Sequence, residues 1–177
     1  SGGQIGDTGT ITGAGIDLIV NNVQKENDVF IHYCSGDFEV TNISNIVMCS
    51  VDGPRRQNIR KNHTATHLMH AALKEVLGEH VNQAGSLVHP DYLRFDLTHH
   101  EKITADELRQ IETIVNREIL INVDVMTSVK DYEDARRGGA IAIFGEKYGD
   151  TVRVLTIGDF SKELCGGTHV DRTGDIG

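Results

Sequence analysis

Residues 62–78 read Asn62-His63-Thr64-Ala65-Thr66-His67-Leu68-Met69-His70-Ala71-Ala72-Leu73-Lys74-Glu75-Val76-Leu77-Gly78. Ala65, Leu68, Met69, Ala72, Leu73, Val76 and Leu77 recur at three- and four-residue intervals, the one-sided stripe of a helix packed on a core. Asn62 is a candidate N-cap, and Gly78 stands where a glycine commonly ends a helix. Upstream the character changes. Segments 16–20, 29–33, 38–43 and 45–51 are rich in β-branched and aromatic residues, are punctuated by glycine and show no helical period, so they read as strands of a small β-barrel-like part. The break falls at Asp52-Gly53-Pro54. Downstream, 87–97 reads as extended, and a second helix opens at Thr104 with a capping box of Thr104 and Glu107, running through Leu108, Ile111 and Val115. Residues 123–129 alternate as a strand, 131–137 form a short helix closed by Gly138-Gly139, and 140–144 and 151–157 read as paired strands. The expectation is an α+β fold: a small β-barrel-like part over residues 1–53, then an α+β part over 54–177 with two long helices on a mostly antiparallel sheet.

Composition narrows the class. The 177 residues are 38% hydrophobic and 24% charged, too apolar for disorder and enough to bury a core. No apolar run exceeds residues 140–144, so no segment is long enough to span a bilayer and no membrane partner is expected. Ser1-Gly2-Gly3-Gln4 has neither a basic start nor a hydrophobic stretch and does not read as a secretory signal. Three cysteines without paired spacings argue for a reducing compartment, and a cytoplasmic location is expected. Seventeen basic against twenty-six acidic side chains give a net charge of -9, which disfavours broad wrapping of a nucleic acid. A phosphate backbone would need a local patch, for which Arg55, Arg56, Arg60 and Lys61 at the start of the histidine-bearing helix are the candidates.

The chemistry lies in two short motifs. His63 and His67 are four residues apart and about 40° apart around the helix, away from the centre of the apolar stripe. Alone, such a pair is most simply two solvated helix histidines. Cys165-Gly166-Gly167-Thr168-His169 adds a thiolate and a third imidazole at the same separation, with two glycines that let the backbone fold tightly between them. Two imidazoles plus a cysteine and a histidine form a borderline-soft donor set that suits Zn²⁺. His70 lies on the same helix face and is a competing ligand. A reading of Cys165 as a nucleophile paired with His169 stays open, but it leaves His63 and His67 unexplained. No glutamate follows His63, so the general base of helix-borne zinc proteases is missing, and no phosphate-cradling glycine loop is present. Thr66, Gln83 and Ser86 supply hydroxyls and an amide near the presumed ion; beside Gly85, the last two equally suit the capping of a turn.

Taken together, the motifs resemble the editing domain of alanyl-tRNA synthetases. The matching stretches are Ser1-Gly2-Gly3-Gln4-Ile5-Gly6-Asp7-Thr8-Gly9, Asn62-His63-Thr64-Ala65-Thr66-His67-Leu68, Gln83-Ala84-Gly85-Ser86-Leu87, Leu93-Arg94-Phe95-Asp96, Gly145-Glu146-Lys147-Tyr148-Gly149 and Glu163-Leu164-Cys165-Gly166-Gly167-Thr168-His169-Val170. They occur in the family's order and span essentially the whole chain. Related stand-alone deacylases share the glycine motif and both histidine motifs and remain a second possibility. The resemblance implies zinc at His63, His67, Cys165 and His169, and pocket polar residues at Thr66, Gln83 and Ser86. It implies hydrolysis of the ester in seryl- or glycyl-tRNA mischarged on alanine tRNA. It further implies partners in that tRNA and in the remainder of a synthetase chain, of which this sequence would be the editing fragment, with the ligase active site elsewhere. Two questions stay open at this level. The ion either keeps a free position for a water, or is closed by four protein ligands and leaves Thr66, Gln83 and Ser86 to orient one. A zinc-stapled tRNA-binding module without catalysis also fits the motifs.

Overall fold

The structure, a computed structural model, describes residues 3–13, 15–27, 29–38, 46–142 and 148–177. Two compact units divide the chain. The smaller, Ile5–Gln57, is an antiparallel sheet of β1 (Gly9–Gly13), β2 (Ile16–Glu26), β3 (Val29–Phe38) and β4 (Met48–Val51) in the order β3-β2-β1-β4. β1 is central, with Gly9 opposite Val20 of β2 and Val51 of β4. Among the described residues the sheet is open, ending at β3 on one side and β4 on the other, so the barrel closure expected from the sequence is not seen there. The strand expected over 38–43 lies, beyond Phe38, outside the described residues.

Helix α1 (Gly53–Leu77) starts well before Asn62. Asp52 is the reason, since its Oδ1 accepts the Arg55 backbone N–H at 3.0 Å, as an N-cap does. Pro54 sits in the first turn, where no N–H is needed. The Asp-Gly-Pro triplet that reads as a break is therefore a helix start. Asn62, the expected cap, instead donates its side-chain amide to the carbonyls of His89 and Pro90 at 2.7 and 3.1 Å.

The larger unit groups Gly3 and Gln4 with Asn58–Gly177, so the division falls within α1 rather than at Gly53. A hairpin of β5 (Gln83–Val88) and β6 (Leu93–Leu97) follows α1. Helix α2 (Ala105–Ile121) opens on Thr104, whose side chain accepts from the Glu107 N–H while the Glu107 carboxylate accepts from Thr104, the capping box expected. Ile111 of α2 is buried, but Leu108 is 53% exposed and lies off the packed stripe. An antiparallel sheet then orders β7 (Val125–Asp131), β8 (Thr151–Ile157) and β9 (Ser161–Leu164) as β7-β8-β9, with α3 (Tyr132–Arg137) capped by Asp131. Of the pairing expected between 140–144 and 151–157, residues 143–144 lie outside the described residues, and among the described ones β8 is flanked by β7 and β9. Ile141 instead bridges Glu163 in parallel, on the far side of β9.

The alternation of β8 fixes what each face meets. Val152 and Val154 point to a cluster with Ala135, Ala140 and Leu164, whereas Leu155 and Ile157 point to Leu68 of α1 and to Cys165. β9 pairs Val154 with Leu164 and Leu155 with Glu163, so the two-residue period that sends Leu164 to the first face sends Glu163 to the face covered by α1. A carboxylate is thereby delivered into the interior.

Candidate metal centre

α1 is buried on two sides. Leu68, Ala72 and Leu73 pack into the core, and the His63–His67–His70 stripe is covered as well, with exposures of 1%, 3% and 4%. The solvated-histidine reading fails because a segment from the far end of the chain lies over these rings. Cys165 follows β9 directly, and its Sγ comes within 3.4 Å of His63 Nε2 and 3.3 Å of His169 Nε2. One donor atom from each of His63, His67, Cys165 and His169 lies within 4.8 Å of every other. Tetrahedral zinc with bonds of about 2.0–2.3 Å separates its ligand atoms by roughly 3.3–3.8 Å, so the set needs little contraction to hold an ion. Gly167 makes the approach possible: a Cβ there would stand 2.0 Å from His63 Cε1 and 2.9 Å from Gln4 Oε1.

Each imidazole is held by a partner on its other nitrogen. His63 Nδ1 lies 2.8 Å from Gln4 Oε1, which also accepts the Thr168 backbone N–H at 2.8 Å. A backbone N–H can only donate, so the amide oxygen faces this side and His63 carries its proton on Nδ1. His67 Nδ1 donates to Glu163 Oε2 at 2.9 Å. Thr64 donates its hydroxyl to the Arg60 carbonyl, which leaves its lone pairs to accept His169 Nδ1–H at 3.3 Å and Val170 N–H at 3.2 Å. With each Nδ1 engaged, all three Nε2 atoms face one point, as in metal sites whose outer partners orient the ligands.

Electrostatics agree with a cation there. Burial pushes the Cys165 thiol up, but the adjoining His169, His63 and His67 outweigh it and bring the group down to about 3, a thiolate. Burial likewise opposes ionisation of Glu163, and the adjoining His67 and His70 hold it well below the usual carboxylate range. Chiefly through burial, His169 falls to about 4. Burial also disfavours charge on His67, yet Glu163 and Cys165 lift it to about 10, so the two anions favour positive charge at this point. His67 Nε2 is buried with no hydrogen-bond partner, and a divalent ion would satisfy both that atom and the anions.

The other expected residues are placed differently. Gln83 Nε2 donates to Ser86 Oγ at 3.1 Å on β5. Ser86 backs onto Gly3, where an added Cβ would lie 2.2 Å from its carbonyl oxygen, and Gln4 bridges Val88 in parallel. The pair thus adjoins the segment that delivers Gln4 to His63. Thr66 is buried, with its hydroxyl donating back to Asn62 O at 2.7 Å. His70 is not one of the four converging residues: its Nδ1 donates to Glu163 Oε1 at 3.0 Å. The arginines of the basic run have partners within the fold, Arg55 on Gly6 O, Arg56 on Asp7, and Arg60 on His169 O and Asp171. Gln4, Thr64 and Glu163 are the contributors that motif spacing does not reveal. For Glu163 a signal exists, a charged residue at the inward register of a short buried strand.

A buried centre of three histidines and one cysteine, each imidazole held by an outer partner, gives this α+β domain a donor set that could hold a metal ion. Comparison with known proteins shows what the chain is similar to. Residues 152–177 match the model described as the threonyl and alanyl tRNA synthetase second additional domain. Over 177 residues the chain is 50% identical to the alanine–tRNA ligase of Legionella pneumophila (strain Corby) and 51% identical to that of Pseudoalteromonas translucida (strain TAC 125). Identity is 52% over 178 residues to that of Bordetella pertussis (strain Tohama I). Each comparison covers 100% of this chain and 20% or 21% of the relative, so the chain spans about a fifth of the length of the ligases it matches. Along its whole length the chain is similar to part of the alanine–tRNA ligases, in agreement with the resemblance drawn from its motifs. Among the described residues, no helix is long and apolar enough to cross a membrane.

Proposed function

We propose that the chain is a zinc-dependent aminoacyl-tRNA deacylase of the cytoplasm. It hydrolyses the ester of seryl- or glycyl-tRNA mischarged on alanine tRNA and works as the editing part of an alanine–tRNA ligase. The observation that carries this reading is the convergence of His63, His67, Cys165 and His169, with Gln4, Glu163 and Thr64 behind the rings. When bound, the ion supplies a fixed positive centre in an enclosed site. His63, His67, Cys165 and His169 would hold it through four protein donors, which supports positioning rather than activation of water. Orientation of the attacking water and of the ester then falls to Thr66, Gln83 and Ser86. Negative charge builds on the carbonyl oxygen during attack, and donors already in place stabilise it without reorganising.

Selectivity for serine has a physical basis. A synthetic site that accepts alanine cannot strongly reject a small side chain that adds a hydroxyl, so a second site is useful. A pocket that hydrogen-bonds the serine hydroxyl leaves polar groups unpaired with alanine, at about 1–3 kcal/mol, or roughly five- to 150-fold in rate. Burial of Cys165 among three imidazoles supports a ligand rather than a free nucleophile. The test is zinc quantification on the purified chain followed by incubation with seryl- and alanyl-tRNA. One zinc per chain, with the seryl ester cleaved and the alanyl ester spared, is expected. Zinc without cleavage would leave a tRNA-binding module in place of an enzyme.

A further inference from the structure

We propose that His70 is a positioning residue: together with Glu163 it forms a clamp that fixes His67 and so sets how tightly the chain holds its metal ion. The inference rests on the metal-centre reading above. His67 and His70 are three residues apart on α1 and therefore neighbours on its surface. Their Nδ1 atoms engage different oxygens of one carboxylate, Glu163 Oε2 at 2.9 Å and Oε1 at 3.0 Å, with Ser161 Oγ 3.3 Å from Oε1. Glu163 is 2% exposed, and an ionised carboxylate at that depth is tolerated only when its oxygens are engaged.

Packing alone does not account for His70. Its ring sits beside Phe95, with centroids 5.2 Å apart, and its Nε2 is buried without a partner. A purely apolar ring would fill that place with no orphaned nitrogen, so what His70 contributes is its Nδ1–H. Of the three outer partners, Gln4 and Thr64 are neutral and Glu163 is charged. Glu163 is the one outer partner that holds its imidazole through a carboxylate, so the alignment of that carboxylate bears directly on how His67 is held. Without the His70 hydrogen bond, Oε1 keeps Ser161 alone of these contacts, and the carboxylate can rotate away from His67.

The test is zinc affinity by chelator competition, with circular dichroism to confirm that each metal-free variant folds. His70→Phe keeps a ring and removes the donor; His70→Asn places an amide N–H near the position of Nδ1; His70→Gln places it near Nε2 instead. Glu163→Gln removes the charge. Loss of such outer partners typically weakens metal binding about 10- to 100-fold, and that loss is expected for His70→Phe, His70→Gln and Glu163→Gln. His70→Asn should recover most of the parental affinity. Parental affinity in His70→Phe, or equal weakening in the Asn and Gln variants, overturns the clamp. Should the Phe variant not fold, the Asn–Gln comparison decides alone. A parent chain that itself retains no zinc refutes the metal reading rather than the clamp.

Discussion

Replacing Gly167 by alanine tests the centre through geometry alone, without touching a donor atom. The added Cβ would stand 2.0 Å from His63 Cε1 and 2.4 Å from Nδ1, against about 3.5 Å for an ordinary carbon contact. The ring, or the segment carrying Gly167, must retreat by about 1.5 Å, whereas metal–ligand distances tolerate about 0.2 Å. His63 is then lost as a ligand, and Gln4, 2.9 Å from the same point, is displaced from its Nδ1. Structural zinc sites release about 10–16 kcal/mol over four ligands, so one ligand accounts for about 2.5–4 kcal/mol, a loss of roughly a hundred- to a thousandfold in affinity. The measurement is zinc content by mass spectrometry and Kd by competition. Gly149→Ala serves as the control, since a Cβ there meets nothing within 4 Å. If Gly167→Ala retained zinc with parental affinity, His63 would not be a ligand in the arrangement described.

Cys165→Ala should remove the ion and abolish hydrolysis of seryl-tRNA while far-ultraviolet circular dichroism stays native, because the side chain it deletes from the Leu68–Leu155–Ile157 cluster is small. Parental turnover in that variant would reject Cys165 as a site residue. Thr66→Val and Gln83→Ala should slow hydrolysis about 100-fold or alter its preference between seryl and alanyl esters, with zinc still at one per chain; loss of zinc would reassign them to structural support. The metal-free chain should lose stability as pH falls from about 6.5 toward 4. His169, lowered from 6.5 to about 4, and Cys165, lowered from 9.0 to about 3, hold fewer protons folded than unfolded in that range, so acid favours the unfolded chain. Urea unfolding at pH 7 and pH 5 measures this, and equal midpoints would contradict the assigned proton positions.

The motif residues were legible because helical and turn spacings are local. An HxxxH on a helix and a CxxxH with two glycines announce donors whose convergence depends on few torsions. What spacing could not convey was the neighbour across the fold. The apolar run 140–144 reads as a strand without revealing its partner, and β9 rather than β8 lies beside Ile141. Asp52-Gly53-Pro54 serves a helix start as readily as a break, and the choice depends on whether Asp52 caps Arg55. The histidine stripe of α1 reads as solvated because the cover, Cys165, lies 102 residues beyond His63. Gln4 and Thr64 are neutral hydrogen-bonding residues of kinds found throughout the chain, and only the direction of their donors and acceptors marks them.

The tail segment is tied to α1 by direct hydrogen bonds. Arg60 donates to the His169 carbonyl, and Thr64 Oγ1 accepts from Val170 N–H. Val154, Leu155, Ile157, Leu164 and Leu68 are each at most 1% exposed. Small metal-stapled domains behave otherwise: below about 70–80 residues a core alone seldom suffices, and removing the ion unfolds them. Here a large core and direct hydrogen bonds place the four donors, while their outer partners turn the Nε2 atoms inward. A core of this size leaves less for an ion to contribute to folding than in such small domains, which supports the proposed role of the metal in positioning substrate for ester hydrolysis.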